Sequence, residues 1–380
     1  MNKVSVSIIQ TFGAGNLNSD DNGSVKSMFL GGTQRQRVSS QSQKAAVRKA
    51  FRDNGDPAIY AKRTKYSPGV IIARVMELAP DLPRDDVSAA VIEAFAEFKP
   101  NKAKARQAAN TGNEENNPPE ESTKALFTVS DAQIESAALI VVEAFKEKTA
   151  KTKTLIDKNK IIQALSQEPS GEQVLFGRFF AENKSLTISA SCQVAHAVGI
   201  NTMDYGFDYF VGRDDLWDDE TVDSEDKGKG AGYLGVKEFS AGSLYRYATV
   251  DFDALEEGLG DHDVAVNTLT AFVREFIRTV PMGGTNSYGN GTLPGLVIVE
   301  VGDSTVNYVP AFEVPSKTLA EGTSKLLTYI GKINEAFEIT PKKAMVMSME
   351  EVTVPKGYTA VKSLSDIDVA IRKTLSSGSK

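Results

Sequence analysis

Between Ser243 and Val301 three elements follow one another, and their order narrows the folds open to this chain more than any other feature. Ser243 to Phe252 alternates as a strand, with Tyr245, Tyr247 and Thr249 on one face and Leu244, Ala248 and Val250 on the other. Val266, Leu269, Phe272 or Val273, Phe276 and Val280 mark one side of a helix, and Leu296 to Val301 reads as a buried strand. The N-terminus supplies a matching half. Val4, Val6 and Ile8 alternate with Ser5 and Ser7, which predicts a strand with one buried face. A loop rich in Gly, Asn and Asp runs from Gly13 to Gly32, and Ser40-Gln41-Ser42-Gln43 has capping-box spacing for a helix reaching about Phe51. Two such halves predict an α+β, ferredoxin-like sheet split by a helical insertion from about Pro57 to Gly171. Alternating elements alone also admit a doubly wound fold.

Inside the insertion, Val87 to Phe98 and Ile134 to Phe145 have helical apolar periodicity, while the polar, repetitive Lys99 to Lys124 predicts a mobile loop. The single cysteine, Cys192, excludes an intramolecular disulfide framework, and with His196 and His262 as the only histidines there is little material for a metal site or a histidine relay. No cofactor and no metal are expected. The N-terminus lacks the apolar core of a signal peptide and no stretch approaches the roughly 18 apolar residues of a membrane span, so the reading is a soluble cytoplasmic protein with no membrane partner.

Charge is distributed unevenly. The chain has a net charge of -7, yet Lys26, Arg35, Arg37, Lys44, Lys49, Arg48 and Arg52 fall in a stretch without one acidic residue. On a helix, Lys44, Arg48 and Arg52 share a stripe, and like charges at that spacing cost about 0.2 to 0.5 kcal/mol per pair unless something anionic offsets them. The helix N-terminus, with the Ser39 and Ser40 hydroxyls and Gln41 beside it, suits a phosphate. With Lys26, Arg35 and Arg37 on the preceding segment, a polyanion fits better than a mononucleotide; the alternative is a capped helix with a solvated basic face. From Asp204 to Asp226 the balance reverses, with ten carboxylates against Arg213, and Tyr205, Phe207, Tyr209, Phe210 and Trp217 lie among them. Those aromatics fit either stacking on single-stranded bases or packing of a hairpin on protein.

Other site chemistries are weaker. Gly13-Ala14-Gly15 lacks the third glycine and the immediate helix of a dinucleotide fingerprint, and Gly283 to Gly291 lacks the Lys-Ser/Thr ending of a P-loop. Asn286, Tyr288 and the backbone amides of that second loop are instead candidates to touch a nucleic acid, or form an ordinary helix-to-strand connection. The pairs Asp20-Asp21, Asp214-Asp215 and Asp218-Asp219 are poor Mg²⁺ signals, because adjacent strand residues point to opposite faces. His196, flanked by Val194, Ala195, Ala197 and Val198, is expected to be a core histidine.

Several ordered blocks resemble one known family. Asn16-Leu17-Asn18-Ser19-Asp20-Asp21, Gly31-Gly32 with Arg35 and Arg37, and Val38-Ser39-Ser40-Gln41-Ser42-Gln43-Lys44 are similar to the N-terminal signature of the CasC (Cse4) family, the repeated backbone subunit of the type I-E CRISPR Cascade surveillance complex. Leu175 to Phe179, Gln193 to Ala197, Asp214 to Leu216, Leu234 to Gly242 and Tyr245 to Ala248 extend the resemblance to about Val301. It implies a modified RNA-recognition palm (1–56 and 172–380), helical fingers (57–171) and a protruding thumb hairpin near 201–233. It also implies that Lys26, Arg37, Ser40, Gln41, Lys44 and Arg48 meet crRNA phosphates, with Phe179 against a displaced base and Phe210 as the thumb wedge; Arg178, beside Phe179, is a further RNA-binding candidate. Ser19, Ala45, Thr33, Gln34 and Gln36 depart from the family's more basic pattern, which implies fewer phosphate contacts.

The reading is therefore a non-enzymatic crRNA-binding scaffold that assembles head to tail with copies of itself, joins other Cascade subunits and presents the guide for pairing with target DNA. A metal-dependent ribonuclease and a general single-stranded RNA-coating protein are the alternatives.

Overall fold

The structure, a computed structural model, describes residues 2–96, 122–123, 126–147, 156–180, 183–213, 231–281 and 283–376. In chain order its elements are β1 (Lys3–Gly15), β2 (Ser27–Leu30), β3 (Thr33–Val38), α1 (Ser40–Asn54), β4 (Lys62–Thr64), α2 (Ser67–Leu78), α3 (Arg84–Ala94), β5 (Phe127–Val129), α4 (Asp131–Lys146), α5 (Lys158–Ser166) and α6 (Gly171–Phe176). There follow β6 (Cys192–Val194), β7 (Ala197–Gly199), β8 (Tyr205–Arg213), β9 (Ala231–Asp251), α7 (Phe252–Leu259), α8 (His262–Arg278), α9 (Thr285–Tyr288), β10 (Leu296–Gly302), α10 (Leu319–Ala336), β11 (Lys343–Ser348), β12 (Tyr358–Ala360) and α11 (Leu364–Ser376). The fold is mixed α/β with a mainly antiparallel sheet. The chain forms two compact units, one of Met1–Val47, Val194–Thr249 and Phe272–Lys380, the other of Arg48–Gln193 and Val250–Ala271.

In the first unit the sheet runs β12-β11-β10-β1-β9-β7-β3-β2, and β8 pairs with the outer part of β9. Leu296 to Gly302 are all buried, as their composition requires. β1 departs from the expected single buried face: Ser5 and Ser7 are 2% and 1% exposed. Their hydroxyls are accommodated because other elements bring polar partners to that face. Ser5 Oγ donates to Glu300 (3.2 Å), and Ser7 Oγ lies 3.2 Å from the Tyr245 hydroxyl. The β2–β3 hairpin closes through Gly31-Gly32, both at positive φ (57° and 75°), with Leu30 opposite Thr33. This is the two-residue turn whose twist matches the strands, and only glycine adopts it without strain twice in succession.

The second unit is built on a helical core. Ile134, Ala138, Val141 and Phe145 of α4, the periodic face seen in the sequence, are all buried with Ile71, Ile72 and Val75 of α2 and Val87 and Val91 of α3. Ser130 and Gln133 close a reciprocal capping box at the start of α4. Almost all of Lys99 to Lys124, the predicted loop, lies outside the described residues, as do Trp217 and the carboxylates Asp214, Asp215, Asp218 and Asp219. No described helix is long and apolar enough to cross a membrane.

Candidate nucleic-acid interface

In the first unit, backbone pairing draws the scattered cations together. The Lys26 N–H donates to Asn18 O (2.9 Å) and the Arg37 N–H to Lys26 O (2.8 Å), so the two side chains issue from adjoining positions. Asn18 also receives the Ser39 N–H on Oδ1 at 3.0 Å, which ties the β1–β2 loop to the beginning of α1. The cap sits one residue earlier than the sequence spacing predicts: Ser39 Oγ accepts the Ser42 N–H at 3.2 Å. Gln43 does not reach back to complete a box because it is needed elsewhere. Its Nε2 donates to Ala195 O (2.8 Å) and its Oε1 accepts from Arg246 Nε (3.2 Å).

Arg246 anchors this arrangement from below. It is 1% exposed, its remaining nitrogens donate to Gln10 Oε1 and Phe276 O at 2.7 Å each, and its guanidinium lies 4.7 Å from the Phe276 ring centroid. Burial pushes its pKa down to about 9, so it remains charged near neutrality while all three of its acceptors are neutral. Held on Gln43, the first turn of α1 presents half-buried Ser40, exposed Gln41 and half-buried Lys44 beside half-buried Lys26 and Arg37. Helix geometry leaves the Ser40 and Gln41 N–H groups without intrahelical acceptors. Hydroxyl, amide and ammonium donors thus converge where an anion's charge is also favoured by the helix dipole.

His196 joins this ledge, contrary to its expected place in the core. It is exposed on the turn between β6 and β7, and its Nδ1 accepts from Arg37 Nη1 at 3.0 Å. Burial first, then the Arg37 and Lys26 charges, holds the imidazole below its ordinary range and therefore neutral. Its apolar neighbours in sequence concealed it; its partner lies 159 residues away.

Two predicted RNA-binding residues are corrected by their burial. Arg35 is fully buried, and its five donor positions are spent: Nε on Thr33 Oγ1 (2.7 Å), Nη1 on Gly199 O and Ile200 O (3.0 and 3.2 Å), Nη2 on Phe312 O and Glu313 O (3.0 and 3.1 Å). It pins β3 to loop carbonyls and has no face left for RNA. In the second unit Arg178, 4% exposed, donates to Leu186 O (2.6 Å), Thr128 O (3.1 Å), Gln133 Oε1 (3.3 Å) and Leu165 O (2.8 Å). Burial brings it down to about 10, and it too is structural. Arg48, also in the second unit, is paired through Nε with Glu172, a carboxylate that is 2% exposed, so its charge is largely answered within the chain. Phe179 stands 84% exposed there.

The β8–β9 hairpin, the predicted thumb, divides its aromatics between two faces. Phe210 is half-buried: it lies flat over Gly235, where a Cβ would fall 2.2 Å from the ring, and Lys237 Nζ sits 5.1 Å from its centroid. Tyr205, Phe207, Tyr209 and Val211 occupy the opposite face, and Tyr209 is 70% exposed. Near its base Tyr288 is half-buried beside Phe239, with centroids 6.4 Å apart, and Asn286 is exposed. Asn16, Ser24, Phe207, Lys237 and Tyr288 line a cleft of about 440 Å³.

The family described as CT1975-like protein matches residues 4–371, and the chain belongs to it. No curated protein matches the chain. Among solved structures, a subunit of "CRISPR RNA-guided surveillance complex, pre-nicking" is 27% identical with a TM-score of 0.80, the match covering 98% of this chain and 100% of that one. A subunit of "CRISPR RNA-guided surveillance complex" is 25% identical with a TM-score of 0.71, covering 98% and 99%. These matches agree with the resemblance carried by the N-terminal and Leu234 to Ala248 blocks.

Proposed function

We propose that this member of the CT1975-like family is a non-catalytic crRNA-binding backbone subunit of a CRISPR surveillance complex. It assembles head to tail along the guide and leaves the bases outward to pair with target DNA. The observation that carries this reading is the ledge of Lys26, Arg37, His196 and Lys44 around the N-terminus of α1, on a chain whose net charge is -7. Those groups suit phosphates, and a scaffold that delegates sequence to base pairing needs only such backbone contacts. The sheet order β10-β1-β9-β7, with β1 antiparallel to β10 and β9 antiparallel to β7, supports the palm reading.

Lys26→Ala combined with Arg37→Ala and Lys44→Ala tests it. Each lost phosphate contact removes about 0.7 from the slope of log affinity against log salt for a single strand, so the triple variant should lose a slope of about 2. An unchanged slope would count against the ledge. Competition between CRISPR-repeat RNA and unrelated RNA separates a guide scaffold from a general coating protein.

A further inference from the structure

His196, on the turn between β6 and β7, is the one residue of the ledge whose type titrates near neutrality. Arg37 Nη1 can only donate, so the 3.0 Å contact makes Nδ1 the acceptor, and the neutral ring carries its proton on Nε2. The ring is exposed, and among the described residues Arg37 is its hydrogen-bond partner.

The charges acting on the ring are both positive, Arg37 on β3 and Lys26 ahead of β2. From α1, Gln43 Nε2 donates to Ala195 O at 2.8 Å, and Lys44 follows in the same turn. From β9, Tyr247 O accepts the Ala195 N–H at 2.9 Å, and burial holds the Tyr247 phenol up at about 12, so it is neutral here. The turn's own flanks, Gln193, Val194 and Ala197, carry no charge. Without an anion, the ledge therefore works against an imidazolium.

We propose that His196 is a proton-linked phosphate ligand: as the RNA backbone enters the ledge the ring takes up a proton from solvent, so guide affinity rises as the pH falls from about 8 to about 5.5. The proposal names a regulation of the RNA site above and rests on that reading. A phosphodiester seated between Lys26 and Arg37 offers Arg37 Nη1 an oxygen in place of Nδ1. Nδ1 then binds the proton, and the imidazolium donates to phosphate oxygens for as long as the strand remains. An opposite charge at hydrogen-bond distance favours the charged ring by about tenfold or more.

The cations that keep the free ring neutral are the ones an anion neutralises, so the same contact that binds phosphate reverses the field at the imidazole. Linkage makes the effect reciprocal: what phosphate does for the proton, the proton does for phosphate. The free ring's midpoint lies below the ordinary 6.5 and the bound ring's lies above that of the free ring. Affinity therefore climbs through the interval between them and levels off beneath the lower one. If Arg37 instead kept its bond to Nδ1 when RNA arrived, the ring would stay neutral, donate from Nε2 alone, and give affinity no pH dependence.

Oligouridine too short for two copies is the probe, because its bases do not titrate in this range. Its affinity for the full chain should increase about fivefold or more from about pH 8 to about pH 5.5 at constant ionic strength. The His196 midpoint, followed through its ring protons by NMR, should rise by about one pH unit when the RNA is bound. His196→Gln retains an N–H donor but cannot titrate, and should abolish the dependence. His262→Gln, in the other compact unit, should keep it. Bound RNA with an unmoved midpoint, or a pH dependence that survives His196→Gln, overturns the proposal alone. Oligouridine that fails to bind at either pH overturns the RNA-scaffold reading as well, so the two failures are distinguishable.

Discussion

His196 accepts a hydrogen bond on Nδ1 from Arg37 at 3.0 Å, so within the ledge a neutral imidazole is held between two cations, Arg37 and Lys26. The folded state resists protonating this ring, and its midpoint lies below the ordinary 6.5. The unfolded chain then takes up the proton first, so stability from this site is complete above pH 6.5 and is lost as pH falls toward the folded midpoint. Arg37→Ala should move the midpoint upward without restoring it to 6.5, since burial and Lys26 remain. Imidazole resonances followed by NMR decide this; a midpoint unmoved by the substitution would refute the coupling.

Arg246 predicts a loss of stability distinct from any loss of RNA contacts. Arg246→Met removes the donor to Gln10, Gln43 and the Phe276 carbonyl together, leaving buried acceptors unsatisfied at about 1 to 3 kcal/mol each before relaxation. A net loss of about 3 kcal/mol in denaturant unfolding is expected. Arg246→Lys should recover little, because one ammonium does not span a three-way fork. A variant within 0.5 kcal/mol of wild type, roughly the scatter of neutral substitutions, would show that α1 is not held through Gln43.

The contrast between Arg35 and Arg37 explains how far the sequence could lead. Both stand two residues apart on β3 in the same basic run, and residue type cannot separate them. Arg35 is claimed by carbonyls 164 and 277 positions away, whereas Arg37 meets a histidine whose apolar sequence neighbours pointed to the core. Local pattern did carry two elements, the alternation of β1 and the periodic face of α4, whereas the β2–β3 hairpin at Gly31-Gly32 lay hidden within what reads as one loop from Gly13 to Gly32. The buried serines of β1 did not, because their partners Glu300 and Tyr245 arrive from distant strands. Charge patterning located the ledge, and long-range packing decided which of its cations face outward.

The hairpin's two faces separate Phe210 from Tyr209. Phe210→Ala should loosen the hairpin, since the ring covers Gly235 and carries Lys237, and amide exchange across Phe207 to Arg213 should quicken. Tyr209→Ala removes a mostly exposed ring and should leave exchange unchanged while weakening ordered assembly on guide RNA in native mass spectrometry. If both substitutions quicken exchange equally, the two faces are not distinct.

Glu300 gives the chain a pH dependence opposite in sign to that of His196. Its carboxyl lies 6% exposed in β10 and accepts from Ser5 Oγ (3.2 Å), from the Tyr308 hydroxyl (3.0 Å) and from the Tyr358 hydroxyl. Desolvation outweighs these three donors and raises its pKa above the ordinary 4.5. The folded state therefore holds this proton more tightly than the unfolded chain. The stabilisation is complete below pH 4.5 and is lost as pH rises through the elevated folded value. Glu300→Gln keeps the side chain's size and one carbonyl acceptor but cannot titrate. The wild type should consequently gain stability relative to the glutamine variant as pH is lowered from 8 toward 4.5, read as the difference between their denaturation midpoints at each pH. A difference that stays constant across that range would mean that the carboxyl ionises as readily in the fold as in water, the tyrosine and serine donors fully offsetting its burial.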